Sequence, residues 1–504
     1  MSGSKTSASN EPARGSASTR GSASTSGSAS TRGSADAASE LGTGLKLRHL
    51  TLMGLGTAVG AGLFLGVGVG IRAAGPAILI AYVIAGAIVI SVMRMLGEMA
   101  AARPSSGSFA TYGRQAFGHW AGFLLGWIYW FLLIMACGAE ITGASAIMAG
   151  WFDVPQWLPA LIVVSILTAV NLAQVKGFGE FEYWFAMIKI VVILAFLVIG
   201  AALWLGLLPA SGFVGFENVR ASGFAPNGIT GIAAGLLAVA FAFGGIEVVT
   251  IAAAESENPA ESVKRAVNSI IWRIALFYVG SVVVIILLLP YAQIDGANTA
   301  AESPFTQVLD MANIPGAAGF MEAVIVLALL SAFNAQIYGT SRIAYQQALE
   351  GDAPRWMART NANAVPTNSV LVSVFFAFAA VGLQWWNPPG MIDFIMAATG
   401  GCLIVTWIMI TLSYIKLHPQ IHGSAVQVRG ASWVPWTTLV ALLGLTGLML
   451  FDDSSRSQVI AVSVLSAILI ALSFTTRNIP PLAHANNTAN NAARAHAETS
   501  ETVL

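Results

Sequence analysis

Three ionisable residues, Glu140, Lys189 and Glu247, fall inside stretches of the chain that are otherwise apolar. A charge at membrane depth is costly and is kept where it handles an ion, a proton or a polar ligand. A lysine there serves as a built-in cation or as a proton carrier. Lys189 and Glu247 are expected at similar depth, each about 12 Å from the inner interface at a rise of about 1.5 Å per residue. The pair is assigned to proton coupling, with a static ion pair as the alternative. Glu140 either meets the amino group of a ligand or hydrogen-bonds a neighbouring helix.

Two segments carry glycines at their middles: Leu55-Gly56-Thr57-Ala58-Val59-Gly60-Ala61-Gly62-Leu63-Phe64, and far downstream Phe241-Ala242-Phe243-Gly244-Gly245-Ile246-Glu247. Small residues also serve helix packing in membranes. A matched pair of broken spans, however, points to the binding site of a secondary transporter, because irregular backbone at that depth must line a cavity or be covered by protein. A half-helix starting near Gly60 offers unpaired N–H groups and a positive dipole end to a carboxylate. A half-helix ending near Phe243 offers carbonyl oxygens to an ammonium, or alternatively to a metal cation. The expected ligand is therefore a small zwitterion. Its candidate contacts are Ala58, Gly60, Ala61, Gly62, Phe241, Ala242, Phe243, Gly245 and Glu140, with the Phe241 ring as a gate. The aromatic cluster Trp127, Tyr129, Trp130 and Phe131 is read as packing, and Glu322 and Asp393 as interfacial carboxylates.

The elements that must position these residues are membrane helices. The 504 residues are 56% hydrophobic and 10% charged, with no net charge and a mean hydropathy of +0.73. A soluble chain carries roughly 25% charge. Twelve apolar segments are each long enough to cross a core of about 30 Å: 50–72, 76–100, 121–150, 157–174, 181–206, 228–254, 270–290, 317–342, 366–385, 390–414, 433–451 and 457–476. With both termini inside, the inner side collects basic residues such as Lys46, Arg48, Arg94, Arg103, Arg114 and Lys264, while the outer side holds only Arg72, Arg220 and Arg456. Spans one and six carry the breaks, so spans 1–5 and 6–10 read as inverted repeats. The expected fold is all-α, twelve transmembrane helices over 44–478, flanked by disordered tails at 1–43 (Ser/Gly/Ala/Thr-rich) and 479–504. Residues 107–112 read either as a short interfacial helix or as a connector.

Several classes are excluded. No phosphate-binding loop of the G-x-x-x-x-G-K-[ST] type is present, which argues against ATP-driven pumping. No basic stripe suggests nucleic acid, no histidine falls within a span, and no catalytic constellation, metal site or cofactor is expected. Cys137 and Cys402 read as small buried side chains. The expected partners are the zwitterion, a proton and membrane lipid.

Several motifs resemble amino-acid permeases of the amino acid–polyamine–organocation superfamily. They include Leu47-Arg48-His49, Gly60 to Gly66, Ala74-Gly75-Pro76, Met93 to Met99, Gly107-Ser108-Phe109, Gly126 to Trp130, Phe178 to Trp184 and Gly244 to Pro259. They are similar in particular to the bacterial amino acid transporter family. The resemblance implies a proton-coupled symporter of the bacterial inner membrane with the leucine-transporter fold, in which Lys189 takes the place of a sodium site. Glu247 to Ser256 and Asn268 to Arg273 resemble the γ-aminobutyrate permeases most, so γ-aminobutyrate is the expected substrate, with proline, aromatic or other neutral amino acids as alternatives. Gly62 stands where that subgroup would carry serine, and Cys137-Gly138-Ala139 departs from its third span. An exchanger and a non-transporting sensor of the same fold remain open as alternative functions.

Overall fold

A computed structural model describes residues 59–103, 108–173, 178–208, 212–247, 259–294, 303–361, 365–386, 391–421, 424, 426–451, 453–477 and 479. Ala58, the segment 248–258 and almost all of both tails lie outside these residues. Among the described residues every regular element is helical.

Among the described residues eight stretches are long and apolar enough to cross a membrane. The first, Ala61–Ala102, is two helices in sequence: a broken one, α1 (Ala61–Phe64) and α2 (Gly66–Ala74), then a reversal through the short turn Gly75–Ala77, then α3 (Ile78–Ala102). Pro76 lies in the first turn of that reversal, where its missing N–H costs nothing. Next come α4 (Ser108–Phe117), α5 (His119–Phe152), α6 (Trp157–Ala173) and α7 (Phe178–Trp204). Of the two readings for 107–112, a helix is observed over the described residues, from Ser108 onward.

The second half runs α8 (Glu217–Ser222), α9 (Gly228–Ala242), α10 (Pro259–Arg273) and α11 (Gly280–Leu288). A π-helical turn, Ile274–Val279, joins the last two. It continues with α12 (Pro304–Met311), α13 (Ala317–Leu349), α14 (Thr367–Trp386), α15 (Met391–Leu417), α16 (Val434–Met449) and α17 (Asp453–Thr476). Three of these apolar helices, α6, α9 and α16, fall short of the length of the eight long stretches.

Burial separates the centre from the rim. The apolar window of α5 is 83% buried, whereas that of α17 is 17% buried. So α5 is the axle of the bundle, with α13, α15 and α4 packed along it, and α17 presents its side chains outward. The broken helix packs α2 against α9, and α3 packs against α10, α5 against α13, and α6 against α14. Each of the first four apolar segments thus touches the one five places later in the chain.

Cys137 and Cys402 are buried free thiols. One polar knot lies at the end of the bundle that holds the α4–α5 junction. Asp352 takes a hydrogen bond from the Arg114 guanidinium and lies 2.7 Å from His119 Nε2, while Trp127 Nε1 donates to its carbonyl. Glu98 is a second buried carboxylate held by donors, accepting from Tyr414 Oη at 2.9 Å and from the Val428 N–H at 2.8 Å. Glu322 accepts from Trp151 Nε1 at an exposed position. The side chain of Asp393 is not among those described.

Candidate functional site

The site is assembled around the first break. Helix α1 begins at Ala61, preceded by Gly60 in an extended conformation (φ −141°, ψ −147°). The carbonyl of Gly60 already accepts the Leu63 and Phe64 N–H groups at 3.1 and 3.2 Å. The Ala61 N–H has no partner within so short a helix, because the first amides of any helix have none. It donates instead to Glu140 Oε2, at 3.0 Å, from the middle of α5. A carboxylate on a helix N-terminus is favoured by both the free N–H groups and the helix dipole.

Gly60 makes that approach possible. A Cβ at this position would lie 2.4 Å from Glu140 Oε1 and 2.9 Å from the Ala332 methyl of α13. One turn further along α13, the Gln336 side chain hydrogen-bonds Glu140, and the carboxylate also interacts electrostatically with Lys189 of α7. Glu140, Lys189 and Gln336 are all buried, Lys189 with no exposed surface. A buried charge is tolerated when it is both paired and hydrogen-bonded, and Glu140 is held from three helices besides its own.

The second break faces the first. Helix α9 ends at Ala242, and Phe243 to Glu247 continue as turns, with Gly245 at φ +89°. The two breaks touch at Gly62, where a Cβ would sit 2.5 Å from the Ala242 Cα and 3.0 Å from its carbonyl oxygen. No serine fits there, which is the physical reason for the glycine. The Ala242 carbonyl, one of those expected to receive an ammonium, accepts the Tyr278 hydroxyl at 2.9 Å. The Phe243 ring is fully buried between Tyr82 and Tyr278, at centroid distances of 5.9 and 5.0 Å. Phe241 lies in the last turn of α9, and its side chain is outside what is described, as is Ala58.

Glu247 has a separate setting. Its carboxylate accepts from Tyr129 Oη of α5 at 3.1 Å and from Trp407 Nε1 of α15 at 2.5 Å. The Phe109 ring of α4 packs edge-on against Tyr129, with centroids 4.6 Å apart. Tyr129 therefore does more than pack, and Trp407 and Gln336 were not singled out in the sequence at all. A buried carboxylate needs donors, but nothing local in the sequence says which of many apolar-segment tryptophans or glutamines supplies them. Among the described residues no group of histidine, cysteine or acidic residues could hold a metal ion.

An all-helical bundle with these apolar stretches, a helix broken over a buried carboxylate and a second break packed against it, defines a multi-pass membrane protein of the permease class. The chain belongs to the amino acid permease family, whose model matches residues 49–489. It is 63% identical over 445 residues to the aromatic amino acid transport protein AroP of Corynebacterium glutamicum, covering 87% of this chain and 96% of that one. It is 38% identical over 453 residues to the γ-aminobutyric acid permease of Bacillus subtilis, covering 88% and 95%. Identity with AroP of Escherichia coli K12 is 34% over 440 residues, covering 86% and 94%. These relatives are transporters, not enzymes.

Proposed function

We propose that the chain is a proton-coupled symporter that imports aromatic amino acids across a bacterial cytoplasmic membrane. It would do so with twelve spans, both termini inside, and spans 1–5 and 6–10 forming inverted repeats of the leucine-transporter type. The observation that carries the substrate is the 63% identity, over nearly the whole length of both chains, with a relative named for aromatic amino acids. The γ-aminobutyrate relatives stand at 38%, and Gly62, packed on Ala242, leaves no room for the serine of that subgroup. γ-Aminobutyrate is therefore the second reading rather than the first.

Twelve crossings are supported by the hairpin within Ala61–Ala102 and by the three shorter apolar helices beside the eight long stretches. The inverted repeat is supported by the contacts between spans five places apart, as a two-fold axis in the membrane plane would produce. Proton coupling rests on buried, mutually interacting Lys189 and Glu140, and on Glu247 at the second break. A zwitterion suits this interior because it brings no net charge beside the buried, interacting Glu140 and Lys189. An unpaired anion adds a net charge and is expected to bind the same site more weakly than the zwitterion.

The test is uptake of labelled phenylalanine into proteoliposomes with an inward proton gradient, challenged by unlabelled amino acids. Accumulation that collapses with the gradient and is blocked by tyrosine and tryptophan is expected. Block by γ-aminobutyrate alone would reverse the order of the two substrates, and counterflow indifferent to pH would make the protein an exchanger.

A further inference from the structure

The Gln336 side chain presents two different ends to the Glu140 site. Because Oε1 accepts no hydrogen bond among the described residues, the end of Gln336 that meets Glu140 is its amide nitrogen. The other end, Oε1, is buried and has no hydrogen-bond partner among the described residues, in a side chain only 6% exposed. A buried amide oxygen left without a donor carries a desolvation cost that native interiors rarely retain without a use. Gln336 sits one helical turn from Ala332, whose methyl borders Gly60, so both residues lie on the face of α13 turned to the first break.

A second observation concerns where the amino group of a substrate can go. The Ala242 carbonyl at the second break already accepts the Tyr278 hydroxyl. The Ala61 N–H, the natural seat of a substrate carboxylate, is occupied by Glu140. A zwitterion whose carboxylate takes the Ala61 amide displaces Glu140 and leaves that carboxylate, still tied to the Gln336 amide, facing an incoming ammonium.

We infer that Gln336 is a substrate-binding residue that accepts a hydrogen bond through Oε1 from the ammonium group of the transported amino acid, alongside the displaced Glu140 carboxylate. This rests on the reading of the Gly60–Glu140 region as the substrate site, and it is independent of the substrate's side chain. In the absence of substrate Glu140 acts as an internal stand-in for the ligand's carboxylate. Gln336 keeps it within reach of the amino group after the exchange.

The experiment compares wild type with Gln336→Met, which keeps length and loses the acceptor, in proteoliposomes. Uptake of labelled phenylalanine gives KM, and competition by 3-phenylpropionate, the same molecule without its amino group, gives an inhibition constant. Wild-type accumulation judges the substrate reading by itself. If a different amino acid is the one accumulated, it and its deaminated analogue replace the pair. The variant is expected to raise KM by about tenfold to a hundredfold, the worth of a hydrogen bond to a charged group, while the inhibition constant of the deaminated analogue moves less than about twofold. A merely structural prop for Glu140 would shift both constants together, and that result overturns the inference. Gln336→Ala is read the same way should the methionine variant not yield folded protein, and an unchanged ratio of the two constants there also overturns it.

Discussion

The Glu140 carboxylate lies on the Ala61 amide, at 3.0 Å, because Gly60 has no side chain to exclude it. A Cβ at residue 60 would come within 2.4 Å of Glu140 Oε1, the tip of a side chain that can turn away. Because the added methyl also meets the Ala332 Cβ at 2.9 Å and drives Glu140 off the Ala61 amide, Gly60→Ala is expected to lower the thermal midpoint in detergent and to bind substrate more weakly by about tenfold or more. A carboxylate on a helix N-terminus is worth up to about 2 kcal/mol in buried settings. Substrate binding by the purified variant checks this, and unchanged affinity would remove Gly60 from the site.

Gly62 is a harsher case, since its neighbour is the Ala242 backbone at 2.5 Å rather than a movable side-chain end. Gly62→Ala or Gly62→Ser must push α1 from α9, at a cost of about 1–3 kcal/mol for overpacking. A lowered unfolding midpoint together with lost uptake is expected. A stable, active Gly62→Ser protein would contradict the close approach of the two breaks.

Lys189 and Glu140 are both buried and interact electrostatically. Removing one partner of a buried pair costs about 3–5 kcal/mol, whereas removing both is often tolerated. Lys189→Met and Glu140→Gln should each lower the midpoint, and the double variant should recover much of it. Uptake against a gradient should recover in none of them. Uphill, pH-driven uptake by Lys189→Met would end the coupling role of the lysine.

Glu247 is held by Tyr129 and Trp407 from two helices that the chain places far from it in sequence. Tyr129→Phe and Trp407→Phe each delete one donor and should slow uptake several-fold with little change in KM. Because both donors serve one carboxylate, the effects should not add: the double variant is expected near the rate of Glu247→Gln. Additive losses in a double-mutant cycle would mean that the two rings act separately.

Asp352 has no side-chain exposure and is satisfied by Arg114 and His119. Asp352→Asn leaves the guanidinium with the partly exposed Glu350 as its remaining acidic neighbour. A loss of about 1.5–3 kcal/mol is expected for hydrogen bonds to a charged group, seen as a lower unfolding midpoint with KM unchanged. A change in KM without one in stability would place this knot in the transport cycle instead.

Much of the fold was legible because its signal is local. Within the described residues each expected apolar segment carries helix, with two of them meeting in the hairpin at 61–102. The reversal at Gly75-Pro76 and the interruptions near Gly60 and Gly245 were readable from residues with special backbone behaviour. The short helices Glu217–Ser222 and Pro304–Met311 were not, since six to eight residues carry too few turns for periodicity to register. The buried carboxylates were visible as charges in apolar runs. Their partners were not: Tyr129 read as packing, and Gln336 and Trp407 as ordinary members of their helices.

The sequence by itself determined that this chain is a bundle of apolar helices, that two of them break, and that Glu140, Lys189 and Glu247 are buried within it. A rise of about 1.5 Å per residue converts position into depth. Depth is not direction, however. Each residue also turns about 100° around its helix axis, and which neighbour it then meets depends on how distant segments pack. Only the tertiary structure decided that Glu140 caps Ala61 and meets Lys189 and Gln336, and that Glu247 is cradled by Tyr129 and Trp407. Those choices are made by side-chain fit between helices 49 to 196 residues apart in the chain, a term no local pattern contains.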